Sequence, residues 1–231
     1  MTALPPPPLR LPTTQRMRQL VADVLIPVIE PRRALAMRAY MRDQFPFLGI
    51  ATPHRRAAVK PLFQQLKGAD GATLLGYADA LWDLPEREYQ YAALDLLATY
   101  VGRFERADIP ALMSLARRAS WWDTVDAMAG IIGKVLKYKH DGMDQALKHD
   151  DFWIRRIAVL HQLGWKKHTD RQRLFSYALA LAHEKEFFIQ KAIGWSLRDY
   201  ARHEPEAVHD FLETDGQILS ALSFREAGKH L

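Results

Sequence analysis

Ser120-Trp121-Trp122-Asp123-Thr124-Val125-Asp126 opens an amphipathic helix, and its spacing from similar helix starts decides the fold. Aligning Trp122-Asp123 with Tyr89-Gln90, Ile154-Arg155 and Ile189-Gln190 gives successive steps of 33, 32 and 35 residues. Each position begins an amphipathic helix, and each follows an acid or an aromatic residue. A period of this size with two helices per repeat marks an α-solenoid. One helix pair cannot bury its apolar face alone, so stacked pairs share one core and their inner helices line a concave groove. The expected fold is all-α, an α-α superhelix, with 207–231 as its last pair. Residues 13–231 read as a single domain.

Helix punctuation outward from this repeat agrees. Thr52-Pro53 offers an N-cap followed by proline at the first helical position. Asp83 to Glu88 and Asp108-Ile109-Pro110 place proline and acids at further helix starts, and Ser120 to Asp123 has capping-box spacing. Glu204-Pro205 stops one helix and starts the next, and Pro61 should kink an otherwise helical stretch. No sustained period-2 run or strand-flanked hairpin turn appears. Pro5 to Pro8 lie in a proline-rich segment, 1–12, which reads as a flexible tail outside the core.

Composition narrows the function. The chain has 231 residues, 48% hydrophobic and 26% charged, which is ordinary globular usage and excludes a mostly disordered or collagen-like chain. No apolar run reaches the roughly 18 residues of a membrane span, so no membrane partner is expected. Met1 to Arg16 lacks the apolar stretch of a secretory signal, which makes the cytoplasm the expected compartment. The absence of cysteine removes disulfides, thiolate nucleophiles and cysteine-bound metal sites. Net charge is +5, and Arg outnumbers Lys 21 to 11. Arginine binds phosphate bidentately and stacks on flat rings, so the balance leans toward nucleic acid, though a solvated basic surface explains the charge equally well.

Four stretches could carry chemistry. In Ser120 to Asp126 the adjacent Trp121 and Trp122 point about 100° apart, so both cannot face one core. Trp122 and Asp126 share a face at i and i+4, and an aromatic beside a carboxylate suits a cationic, sugar-like transition state. One core Trp and a solvated acid explain the same run, and spacing alone favours that plainer account. In Lys185 to Tyr200, Lys191, Trp195 and Arg198 fall on one face, while Phe188, Ala192 and Phe187 suit the core. A Trp between two cations fits a phosphate backbone; a half-buried Trp with snorkelling neighbours fits equally. In Asp151 to Leu160, Arg155 and Arg156 cannot both be buried without partners, which leaves one as an anion contact or both solvated. Gly49 to Arg56 is either an anion site at a helix start or a plain capped helix. There is no Gly-rich phosphate loop, HExxH or GxSxG motif, and the nine His show no metal-ligand spacing, so no metal and no cofactor are expected.

The run Tyr40-x5-Pro46-Phe47-Leu48-Gly49-Ile50-x-Thr52-Pro53, then Leu81-Trp82-Asp83-Leu84-Pro85-Glu86-Arg87-Glu88, Ser120 to Asp126, and Lys185 to Trp195 resembles the AlkD family of DNA alkylation repair glycosylases. The resemblance runs in order from about residue 35 to 230 and leaves out the proline-rich segment. It implies a solenoid of HEAT-like pairs and excision of N3- and N7-alkylated purines, such as 3-methyladenine and 7-methylguanine, from double-stranded DNA. Carried over by position, Trp122 and Trp195 match the aromatic walls of the lesion site, and Asp126 the catalytic carboxylate. Arg156 matches a DNA-contacting arginine, and Tyr40 an aromatic near the lesion. Thr52, Arg56, Lys191 and Arg198 match backbone-facing positions.

The implied chemistry is coherent. Alkylation at N3 or N7 makes the purine cationic, so it leaves as a neutral base and needs no strong general acid. The remaining demand is an ionised carboxylate to stabilise an oxocarbenium-like sugar and orient water, with indole faces toward the deoxyribose. Sugar-polymer glycosidases add a second carboxyl group, and none is evident here. The expected protein is a monofunctional glycosylase, working as a monomer on double-stranded DNA. Its rivals are a non-catalytic helical-repeat protein that binds damaged or distorted DNA, and a scaffold for protein partners.

Overall fold

The computed structural model describes residues 11–231. Among the described residues there are thirteen α-helices and no strand. They form two compact units, divided after Tyr100.

The first unit holds α1 (Thr14–Leu25), α2 (Pro31–Tyr40), α3 (Thr52–Gln64), α4 (Gly71–Trp82) and α5 (Arg87–Thr99). α1 packs on α3 and α4, and α5 packs on α3 and α4. Side-chain caps set two starts: Thr13 accepts from the Arg16 amide at 3.2 Å, and Asp70 from the Thr73 amide at 2.8 Å. Thr52 is already the first helical residue of α3 rather than its N-cap, which is Ala51. α3 runs through Pro61 to Gln64. Of the proline-rich segment, residues 1–10 lie outside the described residues; Pro12 is held, its carbonyl accepting the Tyr77 hydroxyl at 2.7 Å.

The second unit holds α6 (Ile109–Arg117), α7 (Trp122–Leu136), α8 (Met143–Leu147), α9 (Phe152–Leu160), α10 (Arg171–Ala180), α11 (Phe187–Ala201), α12 (Pro205–Thr214) and α13 (Ala221–Ala227). α7, α9, α11 and α13 pack one on the next, and α6, α8, α10 and α12 lie against them. The members of this row start 30, 35 and 34 residues apart, the stacking of an α-solenoid. Three of its helix starts are those found by the sequence alignment, each within two residues.

Helical periodicity drives the stacking. Val125, Met128, Ala129, Ile132 and Leu136 are fully buried on α7, and Ile157, Ala158 and Leu160 on α9. Each large aliphatic side chain so buried is worth roughly 1.5–3 kcal/mol. Gly133 lets the two helices close: a Cβ there would stand 2.1 Å from the His161 carbonyl oxygen. α9, α10, α11 and α13 are capped by Asp151, Asp170, Glu186 and Ser220. The capping box expected at Ser120 does not form, because the Ser120 hydroxyl donates back to the Ala116 carbonyl and the helix starts at Trp122. Asp108 caps a preceding 3-10 turn instead of α6, accepting from the Glu105 amide at 2.8 Å.

Candidate functional site

Asp126 stands one turn into α7, on the same side as Trp122. Opposite it, the Asp151 cap accepts the Trp153 amide at 2.9 Å and fixes the start of α9, which places Arg156 one turn in. Arg156 is 1% exposed. Its Nε donates to Asp126 Oδ1 at 2.6 Å and its Nη2 to Oδ2 at 2.7 Å, while Nη1 donates to the Phe188 carbonyl in the first turn of α11. One guanidinium thus joins three successive helices of the row. The Trp195 ring lies 5.5 Å from the guanidinium carbon, within cation–π range.

Burial pushes the Asp126 carboxyl above its ordinary value, against the hydrogen bonds and charge of Arg156, and the Asp123 charge adds to the rise. The pairing opposes that rise, because protonation would remove the counter-charge of the buried guanidinium. The arrangement is a carboxylate of raised basicity, rigidly oriented and partly open to solvent.

Sequence reasoning missed an aromatic cluster beside this pair. Trp121 packs on Phe188 at 5.3 Å and Trp153 at 5.8 Å, and Trp153 on Phe188 at 4.9 Å. Trp121 is the extended residue before α7, so the 100° helical angle expected between it and Trp122 does not apply. Both are half-buried, so neither is a plain core residue. Phe188 belongs to this cluster and Phe187 is 49% exposed, so the core placement expected for Phe187 does not hold. The signal was present: Phe152-Trp153 and Phe187-Phe188 are aromatic pairs at equivalent helix starts.

Lys191 and Arg198 do share the Trp195 face, and the Lys191 ammonium lies 5.9 Å from the Trp195 ring. Both also reach Glu226 on α13, at 3.0 Å each, and Lys229 joins them at 2.6 Å. Hydrogen bonding from Lys229 and Lys191 draws the Glu226 carboxyl down to about 2, against the effect of burial. These cations are therefore oriented by a buried carboxylate. Three positive groups around one negative leave the face net cationic. Arg155 is spent locally, on Glu184 at 2.8 Å and on the carbonyls of His149 and Asp150.

Tyr40, Thr52 and Arg56 belong to the first unit. Tyr40, the last residue of α2, is 72% exposed. The Thr52 hydroxyl takes a long 3.5 Å contact from Arg55. Asp95 bridges buried Arg55 at 3.0 Å and exposed Arg56 at 2.8 Å. The loop between α2 and α3 is shaped by Glu88, which the sequence reading placed at a helix start without assigning it a partner. Buried Glu88 accepts the amides of Leu48, Gly49 and Ile50 at 2.9, 2.8 and 3.0 Å. Gly49 allows the fit, with φ 86° and a Cβ position 2.0 Å from the Glu30 carbonyl oxygen. The Arg87 amide donates to the Pro46 carbonyl at 2.9 Å, and its guanidinium lies over Phe45 at 3.8 Å.

Fold and site together define an all-helical repeat protein with a carboxylate–guanidinium pair set beside an indole. Its sequence matches the family model described as DNA alkylation repair enzyme over residues 21–231. The chain belongs to the DNA alkylation repair enzyme family. It is similar to a solved structure described as a predicted DNA alkylation repair enzyme from Enterococcus faecalis. The TM-score is 0.81 and the identity 34%, over 88% of this chain and 96% of that one. No curated protein was found to match. No described helix is long and apolar enough to cross a membrane.

Proposed function

We infer that the protein is a monofunctional alkylpurine DNA glycosylase, hydrolysing the N-glycosidic bond of cationic N3- and N7-alkylpurines in double-stranded DNA. The observation that carries this reading is the Asp126 carboxylate, fixed through both oxygens by Arg156, with Trp195 over the guanidinium. As the C1′–N bond breaks, the base departs with the bonding pair and its charge is neutralised. Positive charge builds on the deoxyribose, where Asp126 stabilises it. Water then bonds to C1′ and gives a proton to Asp126, whose raised basicity suits it to that transfer. Trp122 and Trp195 offer π faces to the sugar. Thr52, Arg56, Lys191, Arg198 and Tyr40 meet the DNA, and no metal or cofactor takes part. Arg156, expected as a DNA contact, is 1% exposed with its donors on Asp126 and the Phe188 carbonyl, so it acts by positioning Asp126.

The family match runs through both compact units, which supports 13–231 as one functional domain. A monomer in the cytoplasm, at the nucleoid, fits this role. One observation favours the non-catalytic rival: both Asp126 oxygens already accept hydrogen bonds. Each carboxylate oxygen has a second acceptor site, so the pairing leaves room for water.

The deciding experiment is release of free base from duplex DNA carrying 7-methylguanine, in EDTA. Wild type should leave an intact abasic strand, and Asp126→Asn should lose excision while retaining duplex binding. Excision by Asp126→Asn at the wild-type rate would overturn the mechanism. No release from 7-methylguanine or 3-methyladenine DNA, with tight binding, would establish the non-catalytic reading.

A further inference from the structure

The other end of α7 carries a constellation that excision leaves unused. Beyond Leu136 the chain turns through Lys137 and Tyr138, both in left-handed backbone with φ 49° and 66°. After α9, Gly164 at φ 78° and Lys166 at φ 57° make a second such turn. Lysine and tyrosine rarely adopt this region, and strain of this kind gathers at ligand clamps and switch sites. Here the two strained turns bring three rings together. Tyr138 stacks on His168 with centroids 4.3 Å apart and planes 28° apart, and meets Trp165 edge-on at 5.3 Å. Trp165 is buried beneath, whereas Tyr138 is 52% exposed.

These rings line a cavity of about 500 Å³ together with Gly164, Lys166, Lys167 and His203; a carboxylate, Asp199, borders it and accepts the Gly164 amide at 2.8 Å. Lys137 and Lys139, which flank Tyr138 in sequence, are exposed but line a neighbouring cavity with Glu105 and Arg106, so the cations of this one are Lys166 and Lys167. At about 1.5 Å per residue, the end of α7 at Leu136 lies roughly 15 Å along the helix from Asp126, and Tyr138 stands in the turn beyond it, so this is a separate place on the second unit.

The combination is specific about its ligand. Cations alone would suit any phosphate. An exposed ring stacked on a second ring adds a flat apolar face flanked by those cations, which takes the face of a nucleobase. Duplex DNA presents groove edges and phosphates and keeps its base faces covered; only an unpaired nucleotide offers one. We propose that Tyr138 and His168 form a stacking platform for an unpaired base of single-stranded DNA, with Lys166 and Lys167 holding the adjacent phosphodiesters. The site lies outside the machinery assigned to glycosidic cleavage and requires none of it.

The test is fluorescence anisotropy of the full chain with a labelled oligo-dT probe, in parallel with an unmodified duplex. Tyr138→Ala should weaken oligo-dT binding about tenfold, the effect of losing one base–aromatic stack, and change duplex binding by less than about twofold. Tyr138→Phe keeps the ring and should bind like wild type. Replacing exposed Lys167 by Glu does not threaten the fold. It should weaken oligo-dT binding and flatten its salt dependence by about one phosphate contact. Unchanged oligo-dT affinity in Tyr138→Ala, or in Lys167→Glu, would overturn the proposal. So would equal losses on oligo-dT and duplex in Tyr138→Ala, because the patch would then be a plain phosphate contact.

Discussion

Arg156 is almost wholly buried while its partner Asp126 keeps a fifth of its side chain open to solvent, so the two ends of this ion pair are not equivalent. An orphaned Asp126 can be rehydrated; an orphaned Arg156 cannot. Asp126→Ala should therefore destabilise the protein by about 3–5 kcal/mol, the usual effect of stranding a buried charge. Asp126→Asn should cost less, because its amide oxygen still accepts one bond. Arg156→Met should also cost less than Asp126→Ala. Urea unfolding of the three variants orders them, and an Arg156→Met loss as large as that of Asp126→Ala would refute the asymmetry.

The same pair sets the acid limb of excision. The active form is the carboxylate, and burial has raised its proton affinity against the pull of Arg156. Excision should therefore fall at a pH above the ordinary Asp value of 3.8. In Arg156→Met the opposing pull is gone, so the limb should move to higher pH still. Stability runs the other way. With the folded value raised, this group's contribution is full below the unfolded value and is lost as pH rises through the folded one. Single-turnover rates against pH for both proteins provide the check; a limb that stays put or moves down in Arg156→Met contradicts the assignment.

Glu226 shows the opposite linkage. Its folded value, about 2, lies below its ordinary 4.5, so its stabilisation is present above 4.5 and is lost as pH falls through about 2. Glu226→Gln should flatten the acid side of a plot of Tm against pH across that window. It should also release Lys191 and Arg198, giving a changed salt dependence of duplex binding. An unaltered acid dependence in Glu226→Gln would show that the cluster is not coupled to folding.

The repeat was readable from sequence because apolar periodicity and acid-or-aromatic helix starts are local properties, and Trp122, Ile154 and Ile189 all fall in the first turns of the stacked row. The partners were not. Arg156 meets Asp126 from 30 residues away, and Glu226 reaches Arg198 across 28, one repeat in each case. Which charged residue of one repeat faces which of the next depends on helix rotation, which spacing alone does not fix. Ser120 misled for a related reason: its hydroxyl had a competing acceptor one turn back, in the Ala116 carbonyl.

Glu88 tests the first unit. Its carboxylate satisfies three consecutive amides of the 48–50 loop, so truncation leaves several donors without a partner in a buried place. At roughly 1–3 kcal/mol for each unsatisfied group, Glu88→Ala should unfold or severely loosen this unit, and Glu88→Gln should have an intermediate effect. Hydrogen exchange at Leu48, Gly49 and Ile50 reads this locally. Protection that survives Glu88→Ala would mean the loop is held by something else.

Gly194 precedes Trp195 and is the point where α11 meets α13. A Cβ there would stand 2.4 Å from the Glu226 Cβ and 3.0 Å from the Ser223 carbonyl oxygen. The joint is stitched further by the Ser223 hydroxyl, which donates to the Gln190 carbonyl at 2.9 Å. A methyl group cannot enter without moving α13, and Glu226 moves with it. Gly194→Ala should therefore destabilise by about 1–3 kcal/mol, the usual range for overpacking. It should also reproduce the altered salt dependence of Glu226→Gln, although residue 194 carries no charge. Because both substitutions act through one contact, their effects should not add. The double variant should fall short of the sum of the singles by more than about 0.5 kcal/mol. Additivity within that margin would mean that Gly194 and Glu226 act independently, and that the α11–α13 joint does not position Lys191 and Arg198.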